Sequence, residues 1–301
     1  LTALATLFPT YAAAAFTPGN YFSTHESFND IIEYNSTGTV VGSFTVPTAL
    51  ADELRGIAFG PDGLLYATAV RGSGFDVLAY DSTWTLKQTY SMSSVYISGN
   101  LYYGKIAVDS QHIYVAGANR VTRFDVGNPS SGTSIYTNNQ LFDVDILPSG
   151  NLLAASAYEV NEITSSGTTV RSISPQNNMF TDVRGVEYDP SSNNLFVTHL
   201  GYSGFFDRIM RIDATSGVVE GNTICNDTAD LFLTQSGDLL AGCRFQAPRI
   251  YNQDLVQIGT LGTESRMFVT QFIPVPEPTT AMLLGMPILA VSLFVWRQRK
   301  N

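Results

Sequence analysis

The side chains able to do chemistry are few, and they recur at matching places along the chain rather than forming one compact motif. His25 and His199 end two equivalent segments, where imidazoles serve acid–base chemistry or transition-metal ligation, yet the spacing supplies no third partner. Asp143, Asp182 and Asp230 stand at the starts of three other segments and, with His199, offer the hard donors that a calcium ion takes. Asp62, Asp81, Asp125 and Asp213 read instead as turn residues at strand ends. The expectation is therefore no cofactor, with calcium as the one candidate. No G-x-S-x-G elbow, H-E-x-x-H zinc helix or phosphate-binding glycine loop is present, so no catalytic residue is assigned.

These positions acquire meaning from a repeat. Residues 56–59, a Pro61-Asp62-Gly63 turn and residues 65–68 form a strand pair whose relatives are 105–108 with 113–116, 143–146 with 152–155, 185–188 with 195–198, and 230–233 with 239–242. The turn landmarks Asp62, Ser110, Ser149, Ser191 and Ser236 lie 39 to 48 residues apart, the period of a four-stranded propeller blade. A third strand recurs at 30–35, 76–81, 120–125, 159–164, 208–213 and 248–252, each with alternating apolar positions and a turn-forming end. Outer strands follow at 40–46, 86–90, 132–136, 168–173, 218–223 and 255–261.

The first unit lacks an innermost strand before Tyr21, whereas 266–272 follows the last unit as a spare. Donating it would close the ring and hide two edges that otherwise invite pairing. The fold class expected is all-β, a six-bladed β-propeller over residues 16–273, its first blade completed by the C-terminal strand. A β-sandwich would not explain six ordered copies and a final strand without a partner.

Registering the copies gathers one loop-bearing face. His25, Ala69, Gly117, Ser156, His199 and Cys243 end the second strands, while Arg55, Asp143, Asp182, Arg184 and Asp230 lie at the starts of the inner ones. Loops carried by rigid blades are a natural place for binding. Tyr202 and Phe205, in the loop 201–207 beside Arg55, Arg184 and His199, are the aromatic candidates for a carbohydrate. The same register brings Cys225, just before an inner strand, near Cys243, at the returning end of its neighbour, which points to a disulfide; two unpaired thiols are the alternative. A net charge of −10 disfavours contact with a phosphate backbone, so no nucleic-acid partner is expected.

The ends of the chain speak of handling rather than chemistry. Residues 1–15 are apolar and finish in Ala13, Ala14 and Ala15, as the later part of a secretory signal peptide does, and export places the cysteines where a disulfide persists. A first strand or helix is the other reading of this segment. At the opposite end, Val275-Pro276-Glu277-Pro278 lies in a linker over 274–280, followed by an uncharged run over 281–296 and the basic residues Arg297, Arg299 and Lys300. With Thr279 and Thr280 this run is about 27 Å long as a helix, close to the thickness of a bilayer core. The basic tail, 297–301, favours a cytoplasmic C-terminus. A buried C-terminal helix of a soluble domain would not end in such a cluster.

This ordered combination resembles the sorting signal of exosortase-processed bacterial surface proteins, the PEP-CTERM group. The resemblance covers residues 275–301. It implies passage through the secretion machinery, a transient inner-membrane anchor, and cleavage by an exosortase-type enzyme near the Pro-Glu-Pro triplet. It further implies a final place in the envelope, surface or extracellular matrix of a Gram-negative-type bacterium, among exopolysaccharide or envelope proteins. The repeated domain also bears comparison with lactonase and gluconolactonase propellers; that resemblance implies channel-facing carboxylates and amides around calcium, a carboxylate-plus-asparagine set that the aligned starts here do not complete. The expected role is thus an interaction protein of the envelope or matrix, with a calcium-dependent hydrolase of lactonase-like type as the alternative.

Overall fold

Strand burial is graded from the centre of each repeat outward. Second strands such as Leu152–Ser156 and Asn194–His199 are buried at every position, whereas the outer strand Val219–Ile224 alternates between half-buried and exposed. Strands packed on both faces lie between neighbouring sheets, and strands with one wet face form the perimeter.

A computed structural model describes residues 16–273, apart from 73, 93–103, 118, 139, 175–182 and 200–206. Residues 1–15, the Val275 to Pro278 motif, the run 281–296, Arg297, Arg299 and Lys300 lie outside the described residues, as do Asp182, Tyr202 and Phe205. Among the described residues no helix is long and apolar enough to cross a membrane.

Among the described residues twenty-four strands form six antiparallel four-stranded sheets arranged as a six-bladed β-propeller. Blade 1 contains β1 (Tyr21–Thr24), β2 (Asp30–Tyr34) and β3 (Val40–Thr45). Blade 2 follows with β4 (Glu53–Phe59), β5 (Leu65–Arg71), β6 (Gly74–Tyr80) and β7 (Leu86–Ser91), and blade 3 with β8 (Lys105–Val108), β9 (His112–Gly117), β10 (Arg120–Asp125) and β11 (Asn128–Thr137). Blade 4 comprises β12 (Leu141–Ile146), β13 (Leu152–Ser156), β14 (Val160–Ile163) and β15 (Thr169–Ile173). Blade 5 comprises β16 (Val183–Asp189), β17 (Asn194–His199), β18 (Arg208–Asp213) and β19 (Val219–Ile224). Blade 6 has β20 (Thr228–Leu233), β21 (Leu239–Cys243), β22 (Arg249–Tyr251) and β23 (Gln257–Thr260).

The final strand, β24 (Phe268–Gln271), lies inside β1 and pairs Tyr21 with Gln271 and Thr24 with Phe268. The C-terminal strand therefore closes the first blade, as the repeat count requires. The closing segment is further fastened by backbone bonds from Met267 N to Thr24 O and from Cys243 N to Arg266 O.

The core lies between blades. Tyr66, Phe75 and Tyr90 of blade 2 pack with Ile106, Val115 and Phe124 of blade 3, and Leu153 and Val160 of blade 4 with Val183, Val197 and Met210 of blade 5. Two glycines permit close approaches between neighbouring blades. A Cβ on Gly56 would strike the backbone of Gly104 and Lys105, and one on Gly242 would strike the Met267 carbonyl, closer than any real Cβ contact.

Candidate functional site

The six inner strands turn their free edges toward the central channel, and each such edge carries backbone N–H groups that need acceptors. Buried carboxylates supply several of them. Asp143 Oδ2 accepts Val186 N–H at 2.8 Å, Asp145 Oδ2 accepts Tyr188 N–H at 3.1 Å and Asp230 Oδ2 accepts Val269 N–H at 2.8 Å. Glu187 accepts the Leu233 N–H in the same manner. Each carboxylate thus bonds the inner strand of the next blade, a repeated clasp around the channel.

Lys105 organises the centre. It starts β8 in blade 3, and its Nζ donates to Asp143 of blade 4, at 3.2 Å, and to Asp230 of blade 6, across the channel. The Phe268 ring lies beneath the ammonium, 6.0 Å from Nζ to its centroid. Lys105, Asp143 and Asp230 are all buried. Burial pushes the Asp143 carboxyl up to about 7, with the Lys105 charge pulling the other way, and Asp230 is raised for the same reason. The Lys105 ammonium is held above its ordinary range by Asp143 and Asp230, which outweigh its desolvation.

Beyond this bridge lies a cavity of about 420 Å³ whose lining reaches Phe59, Gly60, Pro61, Ile146, Phe232 and Ile273 on the inner-hairpin turn side. Asp145 and Glu187 are half-buried and also line it. Burial raises Asp145 to about 6, and burial together with the Asp145 charge raises Glu187 well above the usual carboxylate range. Among the described residues no group of three or more His, Cys, Asp or Glu is placed to hold a metal ion. The fit of calcium is poor on chemical grounds as well, because Asp143 and Asp230 already face an ammonium and backbone donors. Asp143 and Asp230 are registered opposite Ala155 and Gly242, one residue from the ends of the second strands, so the bridge lies on the side of the channel away from the inner-hairpin turns.

That opposite face has its own cluster, built where blades 6 and 1 meet. His25 is buried, accepts the Ser27 N–H at Nδ1 and donates from Nε2 to the Arg244 carbonyl at 3.1 Å. Both ring nitrogens are therefore committed to holding loops together. Arg266, also buried, makes a two-pronged pair with Asp30 at 2.7 and 3.1 Å and a bond to Glu264 at 2.7 Å. Its guanidinium lies 5.5 Å from the centre of the Phe28 ring. Arg244 donates from Nε to Glu26 at 2.5 Å and lies over Phe245 at 5.1 Å.

Phe28 and Phe245 on this rigid base are exposed, by 50% and 67%, and so is Tyr158 in the equivalent loop of blade 4, by 68%. Each belongs to a loop joining the second and third strands of its blade. Hydrophobic rings this exposed are not part of the core, and their shared loop class places them on one face.

Of the other candidates, Arg55 pairs with Glu53 at 2.9 Å beneath this face. Arg184 and His199 occupy β16 and β17, with His199 buried and registered opposite Val183 and Arg208. Cys225 and Cys243 are both buried, with their sulfurs 4.0 Å apart. Sequence reasoning did not single out Lys105, Phe28, Arg244 or Phe245. The signal available was positional: Lys105 occupies the register place that carries Gly56, Asp143, Gly185 and Asp230 elsewhere, and Phe28 and Phe245 directly follow the second strands of their repeats.

No protein-family model matches the chain, and no curated protein matches it as a relative. Its architecture is similar to solved propellers at low identity. A structure from the nidogen/laminin complex has a TM-score of 0.62 at 12% identity, covering 83% of this chain and 97% of that one. A candidate 6-phosphogluconolactonase of Bacteroides fragilis NCTC 9343 gives 0.55 at 12% identity, covering 88% of this chain and all of the other. The extracellular domain of a candidate one-component system of B. thetaiotaomicron gives 0.52 at 13% identity, covering 81% of this chain and 33% of that chain. At these identities the likeness establishes the six-bladed fold and nothing narrower.

Proposed function

We propose that this chain is an exported envelope or matrix protein that binds polysaccharide through the loop face spanning blades 6 and 1. The observation that carries the reading is the pair of exposed rings, Phe28 and Phe245, each beside a guanidinium and mounted on loops fixed by His25, Arg244 and Arg266. A sugar ring presents an apolar C–H face suited to stacking on an aromatic ring, and a hydroxyl edge suited to forked donors and acceptors such as Arg244 and Glu26. The rigid base limits the ordering cost of such contacts.

The net charge of −10 sets a preference within this class. Neutral polymers are favoured, because a strongly acidic polymer meets long-range repulsion. The export signal read at both ends supports the envelope setting, with exosortase-type processing as the route. Affinity electrophoresis of the full chain through gels containing a neutral or an acidic bacterial polysaccharide tests the reading. Retardation by the neutral polymer and its loss in a Phe28→Ala/Phe245→Ala variant is the expected result; equal migration of the two proteins in every gel refutes it.

The second reading is a calcium-dependent hydrolase of lactonase-like type. It draws support from the cavity carboxylates Asp145 and Glu187 and from likeness of fold to the Bacteroides candidate lactonase. Calorimetric titration with calcium discriminates: a stoichiometric site with a rise in Tm favours the hydrolase.

A further inference from the structure

We propose that Cys225 and Cys243 form a disulfide that fixes the loop bearing Arg244 and Phe245. The two sulfurs lie 4.0 Å apart, and the sequence contains two cysteines in all, so one pairing exists within the chain. Both residues are completely buried, and their neighbours hold them in place. Cys243 is registered opposite Thr228, Thr228 Oγ1 donates to the Cys225 carbonyl at 2.8 Å, and the Cys243 N–H bonds the Arg266 carbonyl at 2.7 Å. With both backbones tied, rotation of a side chain about its Cα–Cβ bond is the motion left to bring sulfurs in contact to bonding distance.

The surroundings distinguish the two thiols. The bond donated by Cys243, with help from Thr228, Tyr251 and the Arg249 charge, lowers Cys225 to about 6, while Cys243 is driven upward. Arg249 Nη1 stands 3.8 Å from the Cys225 sulfur. In the folded ring thiolate character is therefore favoured at Cys225 over Cys243.

The oxidant is a donor disulfide. The thiolate of either cysteine, written here for Cys225, attacks one donor sulfur, breaking the donor S–S bond and releasing a donor thiolate, which takes up the proton shed by Cys225. Cys243 then loses its proton and attacks the Cys225 sulfur of the mixed disulfide, expelling the second donor thiolate, which takes that proton. Two protein thiols are oxidised and one donor disulfide is reduced to two thiols. Because neither sulfur is exposed in the closed ring, the exchange belongs to folding, before the closing segment ties Cys243 to Arg266. The bridge would join the chain entering β20 to the end of β21, directly below Arg244, and is independent of what the rim binds.

The test is intact-mass measurement and thiol alkylation of the full chain folded with glutathione disulfide. The expected product is two hydrogens lighter than the reduced chain and takes up no alkylating agent in denaturant until reduced. Reduction should lower Tm by roughly 6–12 °C, the consequence of releasing a loop of this length. A Cys225→Ala/Cys243→Ala variant should show no further drop with reductant. Two thiols that alkylate in denaturant without prior reduction overturn the proposal, as does a Tm equally sensitive to reductant in the double variant.

Discussion

Replacing Lys105 by methionine removes the ammonium that joins blades 3, 4 and 6 while keeping most of the side-chain volume. Asp143 and Asp230 then remain buried with their backbone donors but no cation. Breaking a buried ion pair from one side costs about 3–5 kcal/mol, far more than loss of an exposed pair. For a domain of this size that corresponds to a fall in Tm of roughly 6–20 °C at pH 8. The cost must depend on pH with a definite sign. Both carboxyls are raised by burial and partly restrained by Lys105, so the variant raises them further. A carboxyl with a raised folded pKa contributes most below its unfolded value, and that contribution is lost as pH rises through the folded value. Lowering the pH from 8 to 5 should therefore recover about 1.4 kcal/mol per unit for each carboxyl that protonates. Urea denaturation of Lys105→Met at pH 8 and pH 5, beside the parent chain, measures this directly. A companion Lys105→Met/Asp143→Asn/Asp230→Asn variant, which keeps oxygen acceptors for Val186 and Val269, should regain most of the pH 8 loss. A variant within about 0.5 kcal/mol of the parent, or a deficit unchanged between the two pH values, refutes the channel bridge as a structural element.

Glu187→Gln keeps an acceptor for Leu233 but removes a charge disfavoured by burial and by Asp145. Chemical denaturation should show it stabler than the parent by roughly 1–3 kcal/mol at pH 8 and equal to it near pH 4, the parent losing stability between those values as the carboxyl ionises. Gly242→Ala should destabilise by about 1–3 kcal/mol, because its Cβ meets the Met267 backbone, whereas Gly221→Ala, whose nearest neighbour is the end of Arg211, should stay within about 0.5 kcal/mol; thermal melts of the two compare them. Phe28→Ala and Phe245→Ala should change Tm by only a few degrees, since at least half of each ring is exposed, while reducing polysaccharide retention.

The architecture was legible because it rests on local signals repeated six times. Turn residues such as Pro61-Asp62-Gly63 and Ser236-Gly237 punctuate strand pairs, and the strand over 266–272 had no unit of its own; in the structure it is β24, paired with β1. The ends of strands shifted where pairing is irregular. β11 runs over Asn128–Thr137, longer than the alternation at 132–136 indicated, and its pairing with β10 includes two register shifts. Leu255, read as strand, instead takes a left-handed turn conformation, with φ at 60°, stabilised by the Asn252 carbonyl.

The chemistry was less legible because it depends on distances around the ring. Asp143 and Asp230 were visible as aligned acids, but their common partner lies three blades from Asp230, and nothing local marks Lys105 as the residue that spans the channel. His25 drew attention as an imidazole, whereas its structural neighbours Arg244 and Phe245 come from more than two hundred residues away and meet it at the ring closure. Composition shows how many such groups a chain possesses, and only the closed ring determines which of them face one another.

The central claim is that the exposed rings between blades 6 and 1 are a polysaccharide-binding surface. Its most direct test is the dissociation constant of the full chain for a neutral bacterial polysaccharide, measured by affinity electrophoresis beside Phe28→Ala/Phe245→Ala. The account predicts at least a tenfold weakening, about 1.4 kcal/mol or more, with the variant still folded at the temperature of the assay. Identical constants for the two proteins, or no retardation of the parent by any neutral polymer, would contradict it.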